Sequence, residues 1–230
     1  MRTVLLTGFE PFNGDQVNPA WLAVHALAGW GDGTFIVEAR QLPCAFGVAW
    51  QVLEQAIAEV RPALVIAVGQ AGGRSDISLE RIAINIDDAP IPDNLGAQPI
   101  DRDIEPDGPA AYFSTLPIKA IVRGLRSRGI PAAVSHSAGT FVCNHVFYAL
   151  MHAMSTSIAA PGPALYAGST PDATIKAGFI HVPYLPVQAA THPGSPSMTL
   201  SDIVLALQAA IGIALASVHD DDAFAEGSLS

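Results

Sequence analysis

ALVIAV at 63–68, with GQAGGR at 69–74 directly behind it, is the stretch on which the fold turns. Six apolar residues with no polar interruption are too few for a globular helix, and they suit a strand buried on both faces. The glycine-rich turn that follows ends such a strand sharply. Upstream, 46–60 has helical spacing, with Val48, Val52, Leu53, Ile57 and Val60 on one stripe. Before it, 35–42 alternates and is rich in β-branched residues, which predicts a strand. The chain opens with a short apolar strand at 4–6. Asn18-Pro19 then starts a helix, since proline is favoured at the first helical position; Trp21, Val24, His25 and Leu27 fall roughly on one face. The order strand, helix, strand, helix, strand predicts an α/β fold around a largely parallel sheet.

Downstream, 77–86 alternates like a strand exposed on one face. Residues 87–108 form a long loop rich in Asp, Pro, Asn and Gly, a length that is usually functional or mobile. A helix over 117–128, opened by Pro117 and closed by Gly129, leads to a short strand at 131–135. Ser137-Ala138-Gly139-Thr140 is a turn before a helix over 141–154 that buries Val142, Val146, Ala149 and Leu150. Residues 155–174 read as a surface excursion, 178–184 as the last strand, and 198–218 as a helix apolar nearly all round. With no internal repeat and no linker, one domain is expected over 1–218. A mobile polar tail is expected over 219–230, carrying Asp220, Asp221 and Asp222.

Half of the 230 residues are hydrophobic and 14% are charged, so the chain can bury a sizeable core. A formal net charge of -10 argues against nucleic acid and anionic lipid as partners. The apolar start MRTVLLTGFE is too short for a signal peptide. The apolar run at 203–218 is interrupted by Gln208 and falls short of a membrane span. Two cysteines, Cys44 and Cys143, do not make a secreted disulfide scaffold. A cytoplasmic protein with reduced thiols is expected.

Cys143 lies on the first turn of its helix, where partial positive charge and free N–H groups favour a thiolate and suit an oxyanion. A buried, inert cysteine is the competing reading. A cysteine nucleophile needs an imidazole. Of seven histidines, His181 leads, at the carboxyl half of the last strand; His145 is two residues from Cys143 and points elsewhere. The imidazole in turn needs an orienting group, for which Glu80 is the candidate, with a surface ion pair to Arg81 as the alternative. Asp87, Asp88 and Asp93 lack metal-loop spacing and read as turn formers. Gly69, Gly72 and Gly73 lack the Lys-Ser/Thr of a phosphate loop.

Six blocks, TGFEPFNGDQVNPAW, VGQAGGR, ERIAINIDDAPIPDN, AYFSTLPIKAIV, AGTFVCNHVFYALMH and GFIHVPYLP, together resemble the pyroglutamyl-peptidase I family, in the family's order. The resemblance implies an α/β/α sandwich around a mixed sheet, no metal or organic cofactor, and homotetramers. It implies cleavage of the amide bond after an N-terminal pyroglutamyl residue, with peptides so blocked as partners. It assigns Cys143 as nucleophile, His181 as general acid/base and Glu80 as the carboxylate orienting it. It further implies Phe9 and Phe12 on the pyrrolidone ring, Asn18 and Gln70 as polar support, and Ile91, Phe141 and Val142 as lining. Where the family carries arginine near the reacting carbonyl, this chain has Pro90, and Val187 replaces a glutamate. Cys44 lies near the pocket in the family pattern without a catalytic role. A non-catalytic or weakly active binder of cyclic N-terminal amides is the alternative. A nucleoside phosphorylase-like enzyme would need a basic phosphate site that the sequence lacks.

Overall fold

The computed structural model describes residues 1–159, 175–216 and 225–227. In chain order the elements are β1 (Arg2–Phe9), α1 (Pro19–Ala26), β2 (Phe35–Leu42), α2 (Val48–Val60), β3 (Leu64–Gln70), β4 (Ile77–Glu80), β5 (Ile82–Ile84), β6 (Ala111–Phe113), α3 (Ile118–Arg126), β7 (Ala132–Ser135), α4 (Val142–Ala159), β8 (Lys176–Val182), α5 (Pro186–Ala189) and α6 (Leu200–Ala216). Six strands form one sheet in the order β2-β1-β3-β8-β4-β7. β2, β1, β3 and β8 run parallel, while β4 runs antiparallel to β8 and carries β7 with it. The sheet is mixed and largely parallel, as the sequence predicts.

The reason the central strands look uniformly apolar is that each feeds two cores. In β1, Val4 and Leu6 enter one core while Leu5 and Phe9 enter the other; in β3, Leu64, Ile66 and Val68 oppose Val65 and Ala67. α1, α3 and α6 cover the first face, with Ile203, Leu207, Ala210, Ile211 and Ala214 of α6 at helical spacing. α2 and α4 cover the second, through Leu53 and Ile57 and through Val146, Phe147 and Leu150. Three layers result.

Local signals set the element ends. Asn18 accepts the Ala20 N–H at 3.0 Å and caps α1, with Pro19 following it. Gly129 adopts φ 75° after α3. The stripes shift from expectation in places: Leu53 and Ile57 of α2 are joined in the core by Ala49 and Ala56, with Val52 half-buried against them, rather than by Val48 and Val60. His25 is exposed, its ring 5.2 Å from Trp21.

The expected strand over 77–86 is two strands. β4 is fully buried inside the sheet, and after Arg81 the chain leaves it to form β5, paired antiparallel with β6. β4 is flanked by β8 and β7 and covered by α3, so neither face reaches water. α4 runs on to Ala159, so the expected excursion begins later; residues 160–174 lie outside the described residues. The expected tail also lies outside them except at 225–227, where Glu226 pairs with Arg126 at 2.6 Å.

Candidate active site

Strand alternation decides which candidate side chains share a face. Ala177 and Phe179 of β8 enter the α2–α4 core and Ile180 and Val182 the opposite one, so His181 falls on the α2–α4 side. Ile77 and Leu79 of β4 enter the α1–α3–α6 core, which turns Ser78 and Glu80 to the side of His181. Ser78 is the register partner of His181. Glu80 is 0% exposed, and its Oε1 accepts from His181 Nδ1 at 2.7 Å and from Arg74 Nη1 at 2.6 Å. An ionised carboxylate only accepts, so Nδ1 carries the proton, which leaves Nε2 of a neutral imidazole as the acceptor.

Burial alone would raise the Glu80 carboxyl. The hydrogen bond and charge of His181, together with Ser135 and the Arg74 guanidinium, outweigh it and hold Glu80 below the usual carboxylate range.

Cys143 is the second residue of α4, entered through Gly139 at φ 80°. Asn144 locks this end of the helix to β5, accepting from Ile84 N–H at 3.0 Å and donating to Ile84 O and Ile86 O at 2.9 and 3.0 Å. The thiol lies over β3. A Cβ placed on Gly69 would stand 2.9 Å from Cys143 Sγ and 2.8 Å from the Phe179 ring. Gly69 is the register partner of His181, so thiol and imidazole occupy the same face of the sheet around the same strand pair. The side chain is half-buried. The helix start favours a thiolate, but burial opposes it, and burial, with the nearby Cys44 and Glu80, pushes the thiol up while Arg74 pulls it down. Burial, with Glu10 and Asp93, pushes Cys44 up to about 12.

The end of β3 and the turn after it have a use for almost every residue. Gly69 makes room for the thiol. Gln70 donates to Asp15 Oδ2 at 3.2 Å and accepts from Gln188 Nε2 at 3.0 Å. The Tyr184 ring lies against Gly72, where a Cβ would come within 2.2 Å of it, and Gly73 takes φ 90°. The turn so formed returns Arg74 to Glu80. Arg74 stands within a block singled out in the sequence, but no spacing rule joins it to a carboxylate six residues on.

The remaining candidates divide. Phe12 lies 6.1 Å from Phe141, and Phe46 meets Phe141 edge-on at 5.3 Å, giving a half-buried aromatic group beside the start of α4. Phe46 was not marked in the sequence. Ile91 is half-buried on the 87–108 loop, which meets the turn before α4 through Asp88 N–H to Thr140 O at 3.0 Å and Thr140 Oγ1 to Asp88 O at 2.7 Å. Phe9, 2% exposed, packs on Phe179 at 6.3 Å, and Val142 is 0% exposed, so both side chains underpin the site from within the core. Asn18 donates to Glu10 O at 3.1 Å besides capping α1. Pro90 is exposed.

His145 is committed elsewhere. Its Nδ1 bonds Asp87 Oδ2 at 2.8 Å and its Nε2 accepts from Gly47 N–H at 3.1 Å, tying α4 to the loop and to the start of α2. Asp93 accepts from the N–H groups of Phe46, Leu95 and Ala97, the turn-forming role expected of it. Cavities of about 740 and 500 Å³ lie beside α6 and between α2 and α4, and neither is lined by Cys143, His181 or Glu80. Among the described residues no cluster of three or more His, Cys, Asp and Glu is placed to hold a metal ion.

A thiol at a helix start, an imidazole on the neighbouring strand and a buried carboxylate behind it, on one face of an α/β sheet, are the parts of a cysteine hydrolase. Residues 2–217 match the family model described as pyroglutamyl peptidase, and the chain belongs to that family. It is 56% identical over 220 residues to the pyrrolidone-carboxylate peptidase of Cupriavidus necator, and 53% identical over 220 residues to that of Yersinia pestis, covering 96% of each chain in both cases. Among solved structures it is similar to pyroglutamyl peptidase I of Bacillus amyloliquefaciens, with a TM-score of 0.86 at 46% identity over 97% of this chain and 99% of that one. It is also similar to a mutant pyrrolidone carboxyl peptidase of Pyrococcus furiosus, with a TM-score of 0.83 at 44% identity over 93% of this chain and 98% of that one.

Proposed function

We propose that this protein hydrolyses the amide bond that follows an N-terminal pyroglutamyl residue, releasing pyroglutamate. Membership of the pyroglutamyl peptidase family supports the reaction. The observation that carries the residue roles is the shared sheet face of Cys143 and the His181–Glu80 pair, with Gly69 between them.

As Cys143 Sγ attacks the scissile carbonyl carbon, its proton passes to His181 Nε2. His181 acts as the general base for this transfer. The buried Glu80 carboxylate stabilises the imidazolium so formed. The carbonyl oxygen becomes an oxyanion facing the first N–H groups of α4, which have no carbonyl one turn back. Nε2–H then protonates the amine as the C–N bond breaks, leaving a thioester. Water, deprotonated by His181, attacks the thioester; the thiol regains its proton and free pyroglutamate leaves.

The pyroglutamyl ring of the substrate is a flat, uncharged lactam, which suits the aromatic group of Phe12, Phe46 and Phe141. A charged α-amine in the same slot would lose its hydration without a partner, at a cost of several kcal/mol. Ile91 and Gln70 complete the slot in this reading, and Asn18, Phe9 and Val142 hold it in place. The reading includes a cytoplasmic setting, supported by two free cysteines, and a homotetramer whose contacts would cover exposed Leu95, Ile100 and Phe113. No described helix is long and apolar enough to cross a membrane. Purified protein in dithiothreitol is expected to cleave pyroglutamyl-β-naphthylamide and to leave the prolyl and glutamyl analogues untouched. Absence of turnover on the pyroglutamyl compound overturns the proposal.

Gly69→Ala tests the placement of the thiol. The added methyl would press on Cys143 Sγ and on Phe179, both inside 3.0 Å, and one of them must move. Displacing a nucleophile by about 1 Å costs on the order of 10²-fold in kcat/KM. Overpacking is expected to cost about 1–3 kcal/mol of stability, read by urea denaturation. An unchanged kcat/KM would mean that the thiol does not react from this position.

A further inference from the structure

We infer that Arg74 is a positioning residue of this site, holding Glu80 in place behind His181 and setting the charge that the catalytic pair works against. The inference rests on the proposed roles of Cys143, His181 and Glu80. Its ground is geometric. Arg74 Nη1 reaches Glu80 Oε1 at 2.6 Å, the same oxygen that accepts from His181, and lies 3.3 Å from Ser135 Oγ, while Nη2 donates to Ser137 O at 3.0 Å. The guanidinium thus bridges the carboxylate and the chain leaving β7, which pairs with β4 beside Glu80. A planar fork makes this bridge; a lysine ammonium keeps the charge but not both bonds. The side chain is 34% exposed while Glu80 is 0% exposed, so the cation enters from the rim and neutralises a carboxylate that has no contact with water.

The glycines of the turn serve the same end. Tyr184 presses on Gly72 and Gly73 takes a left-handed backbone, and the curl they permit brings residue 74 back over β4.

The groups that act on the pair are Arg74 from the turn, Glu80 from β4, Ser135 from β7, Cys143 from α4 and Cys44 behind Cys143; the other charged neighbours in sequence are exposed His136 after β7 and Arg81 following Glu80. Arg74 is the cation that both opposes the rise in the thiol and lowers the carboxyl. Its loss moves the Glu80 carboxyl and the Cys143 thiol to higher pH.

Two readouts follow, with Arg74→Gln and Arg74→Lys compared against the unaltered protein. The first is the pH profile of kcat/KM on pyroglutamyl-β-naphthylamide. In R74Q the acid limb is expected about one pH unit higher, a roughly tenfold loss below the limb that shrinks above it. In R74K the limb returns to within a few tenths of a unit, while kcat stays lowered. The second is alkylation of Cys143 by iodoacetamide at pH 8, which needs no substrate turnover. R74Q is expected to react about tenfold more slowly and R74K at nearly the original rate. A merely structural role predicts the opposite sign, since a loosened site exposes the thiol and speeds its reaction. A profile in R74Q that is scaled down without displacement, or alkylation as fast as in the unaltered protein, overturns the inference. If R74Q does not fold, R74K decides it: a lowered kcat at a retained alkylation rate supports the inference, and an unchanged kcat or a tenfold loss of alkylation overturns it. If the unaltered protein does not turn over the substrate, the proposed function fails and alkylation still judges Arg74.

Discussion

Replacing Cys143 with alanine is expected to lower kcat on a pyroglutamyl amide by on the order of 10⁴-fold or more, with the fold intact. No other described thiol stands over Gly69 at the level of His181, and Cys44 is buried. Without Sγ the remaining machinery can only direct water at the carbonyl, and a triad that has lost its nucleophile retains little. The structural cost is small: one half-buried sulfur is removed at a position tied down by its neighbours Asn144 and His145, so the stability change is about 1 kcal/mol or less. Iodoacetamide gives the companion result. Because burial raises the thiol, alkylation of Cys143 is expected to be slow at neutral pH and to climb steeply above it, without the neutral-pH plateau of a preformed thiolate. Cys44→Ala is expected to leave kcat within a factor of about three, since Cys44 does not touch the reacting atoms in the proposed mechanism. Full activity in Cys143→Ala would leave the mechanism without its first step.

The parts of this picture that were legible in the sequence are those written in local chemistry. β2 matches its expected span because alternation reports directly on a sheet with one face more open than the other. β3 reads as a core strand because both its faces feed cores, and Asn18-Pro19 names the start of α1 residue by residue. Periodicity failed at 77–86, where Arg81 divides two strands that belong to different sheets, and at β6, which is three residues long. Its place at the carboxyl half of the last strand puts His181 first among the histidines, and the resemblance selects it. In space the choice has a physical basis: His145, the near neighbour of Cys143, has both ring nitrogens bonded to Asp87 and Gly47, whereas Nδ1 of His181 points to Glu80. Sequence reports the helix start beside Cys143 but not the depth at which Sγ sits, and burial there opposes the thiolate that the helix start favours. Arg74 was invisible as a partner of Glu80 because the bond runs across a turn whose curl depends on Tyr184, more than a hundred residues away.

Glu80→Gln is expected to lower kcat by on the order of 10³-fold or more while changing stability far less. The amide keeps the shape, and its oxygen can still accept from His181. What disappears is the negative charge that stabilises imidazolium when His181 takes the thiol proton. Arg74 then stands beside the amide uncompensated and opposes the same imidazolium. The double variant Glu80→Gln/Arg74→Gln should therefore recover part of the activity lost in E80Q, a non-additivity that independent sites would not give. Stability carries its own signature. The Glu80 carboxyl is held low in the folded protein, so the unfolded chain takes up the proton first on acidification. The stabilisation is fully present above the ordinary carboxylate range and is lost as pH falls toward the folded value; E80Q lacks it. The stability difference between the two proteins in urea should thus be pH-independent near neutrality and should shift against the unaltered protein in acid. A difference that stays constant down to the acid transition would mean that Glu80 and its two cations are not coupled as the distances require, and rescue of E80Q by R74Q would then have no cause.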